Sequence, residues 1–208
     1  MPSIDRWKAT WEELGVKFTP ALRAAFDDLI TRYSEPHRKY HTVRHLDECL
    51  EKLAEIRPLA VHPAEVEVAL WFHDAIYEQR SDQNEAKSAE LAVATVRNTG
   101  GSAESAQRIC DLIMATRHAA VPHGNDAKVL VDVDLSILGE SPERFDEYEG
   151  QVRDEYSWVP EFLFKRERRK ILEEFLARPV IFNTKPFRER YEAQARVNLE
   201  RSLRQSGD

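Results

Sequence analysis

The adjacent pair His73-Asp74 lies in the run VALWFHDAIY, where its neighbours are almost all apolar. A carboxylate in a dry core costs several kcal/mol unless a cation or hydrogen bonds compensate it, so Asp74 needs a partner. A divalent metal would supply one, and so would a buried His-Asp hydrogen bond or an arginine. Upstream, RKYHTVRHLDECL sets His41 and His45 four apart, on one side of the chain if a single helix runs through both. Downstream, LVDVDLSILG holds Asp132 and Asp134 in an apolar run, where at least one should be satisfied by a cation. His45, His73, Asp74 and one of these aspartates make a hard-to-borderline donor set suited to Mn, Fe, Ni, Zn or Mg. The chemistry open to such a set is activation of water by a bound ion.

These residues must be carried by helices. Leu46, Cys49, Leu50, Leu53 and Ile56 fall on one helical stripe, and similar spacing runs through Ala21–Tyr33, Ala86–Val96, Ala106–Thr116 and Phe145–Leu176. Pro63 suits a first helical turn, and the run it opens is apolar nearly all round to Ile76, which puts His73 and Asp74 inside the fold. Val129, Val131, Val133, Leu135 and Ile137 alternate as a half-buried strand would. With no second strand to pair with, that segment is better read as helix. Loops are expected at Glu78–Gln83, Thr99–Ser102 and Ala119–Ala127, and no internal repeat is visible. The fold class is therefore all-α, a helical bundle in one domain, with a core over about residues 20–178 and a C-terminal helix over about 184–205 packed on it.

Composition supports a globular chain: 208 residues, 42% hydrophobic, are enough for one substantial core. The balance of 30 Lys and Arg against 37 Asp and Glu gives a net charge of -7, which argues against binding a nucleic-acid duplex through its phosphates. Cys49 and Cys110 each sit in an apolar helical pattern and read as small buried thiols, in keeping with a reducing compartment. The N-terminus lacks the pattern of a secretory signal, and no segment approaches the ~20 apolar residues of a membrane span. A cytoplasmic location without membrane contact is the expectation, and a homo-oligomer is left open. Trp7 and Trp11, four apart, read as a stripe that packs the first helix, and FKRERRKILEEFL as a packed helix with a solvated charged face.

Taken in order, Tyr40-His41-Thr-Val-Arg44-His45, His73-Asp74 and Asp132-Val-Asp134-Leu resemble the HD-domain superfamily of metal-dependent phosphohydrolases. RKYHTVRHL, WFHDAIYEQRSDQNEAKSAEL, VDVDLSILG, VRDEY and ARVNL resemble, more closely, a bacterial family of predicted HD phosphohydrolases, over about residues 30–200. The resemblance implies a bundle of the HD type with its metal site at the centre. It implies a divalent ion held by His45, His73, Asp74 and Asp134, with Asp132 as the substitute, and because no second histidine pair beyond His118 and His123 is on offer, a single ion is expected. The Tyr40-His41-x-x-x-His45 segment is also similar to the matching helix of cyclic-nucleotide phosphodiesterases, which assigns His41 as general acid toward the leaving oxygen. Glu78 and Glu85 are further catalytic candidates, positioning water or substrate, although Glu85 also suits the first turn of a helix. Arg44, Arg117, His118, Arg153 and Tyr156 are candidates for holding substrate, and Arg117 and His118 equally suit a solvated helix end. His123, in a polar loop, reads as solvated.

The expected function is therefore hydrolysis of a phosphate ester or anhydride in a small phosphorylated substrate, with nucleotides among the candidates. The alternative is a nucleotide-binding regulatory module with little or no turnover.

Overall fold

The computed structural model describes residues 2–118 and 120–205 and is all-α there, with ten α-helices, two short 3-10 turns and no strand among the described residues. Contacts group the chain into two compact units, Met1–Val131 and Asp132–Asp208. No helix among the described residues is long and apolar enough to cross a membrane.

The first unit holds α1 (Ile4–Glu13), α2 (Pro20–Tyr33), α3 (Val43–Ile56), α4 (Pro63–Phe72), α5 (Asn84–Asn98) and α6 (Ala103–Ala115). Local chemistry starts these helices. The hydroxyls of Ser3, Thr19, Thr42 and Ser102 each accept a hydrogen bond from a backbone N–H in the first turn of α1, α2, α3 and α6. Proline at the first position reinforces α2 and α4. Trp7, Trp11 and Trp71 are fully buried. Trp7 meets Trp71 edge-on at 5.1 Å between ring centroids and donates its indole N–H to the Leu22 carbonyl at 3.0 Å. The Trp7-Trp11 stripe thus packs α1 as its spacing foretells.

α4 packs against α1, α3, α5 and α6 and is buried from Ala64 to Phe72. Its two glutamates are buried too, and each is clamped from a different side. Glu65 takes a two-pronged bond from Arg108 on α6, at 2.6 Å for each prong. Glu67 accepts from Arg6 at 2.6 Å and Thr10 at 2.9 Å, both on α1, and from Arg57 at 3.4 Å. Paired in this way, the carboxylates can stay charged inside the fold.

The helix opened by Pro63 is shorter than its apolar run suggests and stops at Phe72, so residues 73–76 form a turn. Tertiary partners take the backbone groups that a longer helix would have used. Arg38 donates to the carbonyls of Asp74 at 2.6 Å and Ala75 at 3.0 Å. The Asp74 N–H donates to the Tyr33 hydroxyl at 3.3 Å and the Ile76 N–H to the Ser88 hydroxyl at 3.0 Å.

The boundary between the units falls within α7 (Gly124–Asp134). The loop expected over Ala119–Ala127 is therefore cut short by the start of α7, and its first residue, Ala119, lies outside the described residues. Asp126, in the first turn of α7, accepts from Val61 N–H at 2.6 Å and from the His62 ring at 2.9 Å. The alternating segment 129–137 is helical, running from α7 into a 3-10 turn over Leu135–Gly139. Of the residues between its apolar positions, Leu130 and Asp132 are fully buried, Ser136 is buried and Asp134 is half-buried, so the alternation does not mark one wet face.

The second unit holds α8 (Pro142–Glu155), α9 (Glu161–Ala177) and α10 (Lys185–Gln205). The spacing that reads continuously over Phe145–Leu176 is two helices, separated at residues 156–160 with Pro160 as the N-cap of α9. The expected C-terminal helix is α10, which packs on α9 and on the 3-10 turn. Their approach is close: a Cβ on Gly139 would lie 2.5 Å from the Tyr191 Cβ. Asn198 on α10 donates to the carbonyls of Leu138 at 3.0 Å and Glu140 at 2.9 Å, tying α10 to the end of the turn.

Candidate metal centre

Within the first unit, α3 and the end of α4 bring three expected residues together. His45 points from the first turn of α3, which the Thr42 hydroxyl caps, and His73 and Asp74 occupy the turn after α4. The Nε2 atoms of His45 and His73 are 3.2 Å apart. Asp74 Oδ2 is 3.0 Å from His73 Nε2 and 3.5 Å from His45 Nε2. Both imidazoles are almost wholly buried, while the Asp74 side chain keeps 19% of its surface exposed, so the cluster is reached through the carboxylate.

The His73 ring is oriented by its own helix. Its Nδ1 lies 2.8 Å from the Leu70 carbonyl, which can only accept, so Nδ1 carries a hydrogen and Nε2 is the ring atom turned toward Asp74 Oδ2. Burial alone would raise the Asp74 carboxyl, but the charges of His73 and His41 and hydrogen bonds from His45 and His73 hold it well below the usual carboxylate range. The Tyr33 hydroxyl, fully buried behind the turn, is pushed up to about 12 chiefly by that burial and stays a neutral hydrogen-bonding group.

The spacing fits a metal. Two imidazoles on one tetrahedral ion, with metal–nitrogen bonds of about 2.0–2.1 Å, would have their nitrogens roughly 3.3 Å apart. The 3.2 Å between the two Nε2 atoms is that separation, and 3.0 Å to the carboxylate oxygen suits a neighbouring ligand on the same ion. The carbonyl acting on His73 Nδ1 is the usual support behind a ligating imidazole.

His41 stands nearby, although not through shared membership of a helix. α3 begins at Val43, so His41 precedes it, and the expectation of one helix through His41 and His45 does not hold. The extended backbone at Thr42, the N-cap of α3, leaves the two rings 5.9 Å apart, with His41 stacked on Tyr77 at 4.2 Å. Arg44 pairs with Glu48 at 3.0 Å and lines an open depression with Arg38, Lys39 and Thr42.

The remaining candidates of the first unit pair with charged neighbours. Glu78 meets Lys87 at 2.9 Å, and the Asn84 side chain, not a carboxylate, ties the 78–84 loop to α5 by exchanging hydrogen bonds with the Glu78 backbone. Glu85 and Arg117, expected in different roles, face each other at 3.5 Å. His118, three residues past the end of α6, has a left-handed conformation, φ 53°. In the second unit, Arg153 donates to the carbonyls of Tyr156 at 2.8 Å and Val159 at 3.0 Å and lies over the Phe164 ring, which holds the turn between α8 and α9.

The two downstream aspartates differ sharply. Asp132 is fully buried and accepts from the N–H groups of Asn183 at 2.7 Å and Thr184 at 2.6 Å and from the Asn183 side chain at 3.0 Å. These bonds hold the carboxyl against the 183–184 backbone, although burial still keeps it above the usual carboxylate range. Asp134 is the last residue of α7 and is half-buried.

Three residues of this region escape a reading by sequence. Arg38 has a fully buried side chain and donates to three carbonyls, those of His41, Asp74 and Ala75. Tyr33 bridges the Trp71 carbonyl and the Asp74 N–H. Cys49 lies beside His45, and the four-residue step between them was the available signal. Both cysteines are free, Cys49 buried and Cys110 half-buried. The chain matches no family model, no curated protein and no solved structure.

Proposed function

We propose that the protein is a metal-dependent phosphohydrolase of the HD type, cleaving a phosphate ester or anhydride in a small substrate, with nucleotides the first class to test. The observation that carries the reading is the convergence of His45 Nε2, His73 Nε2 and Asp74 Oδ2 within 3.5 Å of one another. Asp134 completes the proposed ligand set on the strength of the sequence resemblance. A divalent ion in such a set lowers the pKa of bound water and neutralises phosphoryl oxygens.

The chain's own groups supply the rest. His73, locked by Leu70, keeps one tautomer throughout. The partly exposed Asp74, held ionised, can accept a hydrogen bond from the attacking water and orient it. His41, braced on Tyr77 and outside the inner set, is the group to give a proton to the leaving oxygen. Arg44 and Arg117 lie on α3 and just after α6 with carboxylate partners that an anionic substrate could displace.

The test is metal analysis of the purified protein, then phosphate-release screening over nucleotides and simple phosphomonoesters with Mn2+, Mg2+, Ni2+ and Zn2+, with Asp74→Ala as control. Stoichiometric metal and turnover that the control loses would support the reading. Full activity in Asp74→Ala would sink it, and tight nucleotide binding without phosphate release would favour a regulatory module.

A further inference from the structure

His41 lies between α2 and α3, in a strap over residues 37–41 that belongs to no helix, so helical geometry does not fix its ring. Residues 77–79 hold it instead. The Tyr77 ring, 8% exposed, stacks on the half-buried His41 ring with centroids 4.2 Å apart and planes at 26°. Tyr40 meets His41 edge-on at 5.0 Å and also touches His45 at 4.7 Å, so one ring spaces the two histidines. The His37 ring donates from Nε2 to the Tyr77 carbonyl at 2.9 Å, and the Gln79 amide donates to the His37 carbonyl at 3.2 Å. Arg38 closes the clasp, donating to the His41 carbonyl at 3.1 Å and lying 5.5 Å from the centroid of the Tyr77 ring.

We infer that Tyr77 is the positioning residue of the proton donor His41, and that the substrate is consequently a phosphate ester of an alcohol, such as a sugar hydroxyl, in preference to an anhydride. This rests on the phosphohydrolase reading above and narrows it. In the hydrolysis the water oxygen bonds to phosphorus and the bond from phosphorus to the leaving oxygen breaks. The leaving oxygen keeps the electron pair and takes the His41 proton, and the proton shed by the water returns the ring to its starting charge. An alcohol leaves as a strongly basic alkoxide unless a proton reaches it, whereas a phosphate or a nitrophenolate departs readily without one. A firmly held acid is therefore worth most on the ester of an alcohol. Its aim counts as much as its presence, since a misplacement of about 1 Å can cost on the order of 100-fold in rate.

The full chain is assayed with Mn2+, Mg2+, Ni2+ and Zn2+ on a nucleoside monophosphate, a cyclic nucleotide and inorganic pyrophosphate, with p-nitrophenyl mono- and diesters as controls that need no acid. The expected result is turnover of an alcohol ester. Tyr77→Leu should lower kcat on that ester by on the order of 100-fold with little change in KM, lose far less on the p-nitrophenyl control, and be rescued by Tyr77→Phe, which keeps the ring. The ratio of the two rates does not depend on how much of the variant folds. In metal-free protein the His41 ring-proton resonances should lose the shift imposed by the stacked ring in Tyr77→Leu and keep it in Tyr77→Phe. Unmoved resonances, or equal losses on both kinds of ester, would overturn the role of Tyr77 and leave the phosphohydrolase standing. Turnover of pyrophosphate alone would overturn the ester class and also leave it standing. No turnover of any substrate would overturn that reading and this inference together.

Discussion

His73 spends its Nδ1 hydrogen on its own helix, so its substitution removes a donor whose direction is fixed by backbone and not by chance rotamer. His73→Ala should lower metal affinity by at least about 100-fold, measured by competition with a chromophoric chelator. His41 behaves differently, because it stands outside the inner set. His41→Gln should retain stoichiometric metal while kcat falls by about 100- to 10,000-fold, the usual worth of a general acid; unchanged kcat would remove it from the mechanism. The two aspartates are separable in the same manner. Asp132→Ala strands two backbone N–H groups and an amide, so it should cost roughly 3 kcal/mol in chemical denaturation, with the folded fraction still binding metal. Metal loss in well-folded Asp132→Ala would return that residue to the ligand set.

At the level of elements, the turn after α4 depends on Arg38 more than on anything in the doublet itself. Three carbonyls converge on one guanidinium, which presents its donors in a planar fork that lysine cannot reproduce. Arg38→Met should destabilise the protein by about 3 kcal/mol and weaken metal binding as well, and Arg38→Lys should rescue neither; both are read by denaturation and metal titration. The helices around this turn were legible because apolar spacing and helix starts are local: the stripe from Leu46 to Ile56 and Pro63 mark elements that sequence alone suggests. The doublet was legible for a related reason, since an aspartate between Phe72 and Ile76 needs a partner wherever the chain goes. The end of α4 was not. Its apolar residues continue past Phe72, and what stops the helix arrives from Tyr33 and Arg38, some forty residues away, with an arginine that looks like any surface arginine in sequence. His41 illustrates the same limit, because it precedes α3, and its place near His45 comes from the extended cap residue Thr42 and not from helical periodicity.

For the molecule as a whole, an ion that binds the folded state and not the unfolded chain adds its binding free energy to stability. Chelation should therefore lower the thermal midpoint. Against free metal at 100 times its Kd the lost stabilisation is about 2.7 kcal/mol, readable by differential scanning fluorimetry with and without chelator. An unchanged midpoint would mean that the cluster is held together without a cation.

α4 carries a different consequence. A rod that is greasy on every side has no preferred rotation about its own axis, so burial of Val66, Val68, Leu70 and Phe72 does not by itself say which way the rod is turned. Glu65 and Glu67, gripped by Arg108 on one side and Arg6 on another, index it like two teeth on a key. A slip of one residue would turn the doublet by about 100° away from His45. Glu65→Gln with Glu67→Gln should accordingly keep the helical content by circular dichroism while splitting the resonances near His73 into several sets, because the fold would lose the uniqueness of its answer before it lost its compactness.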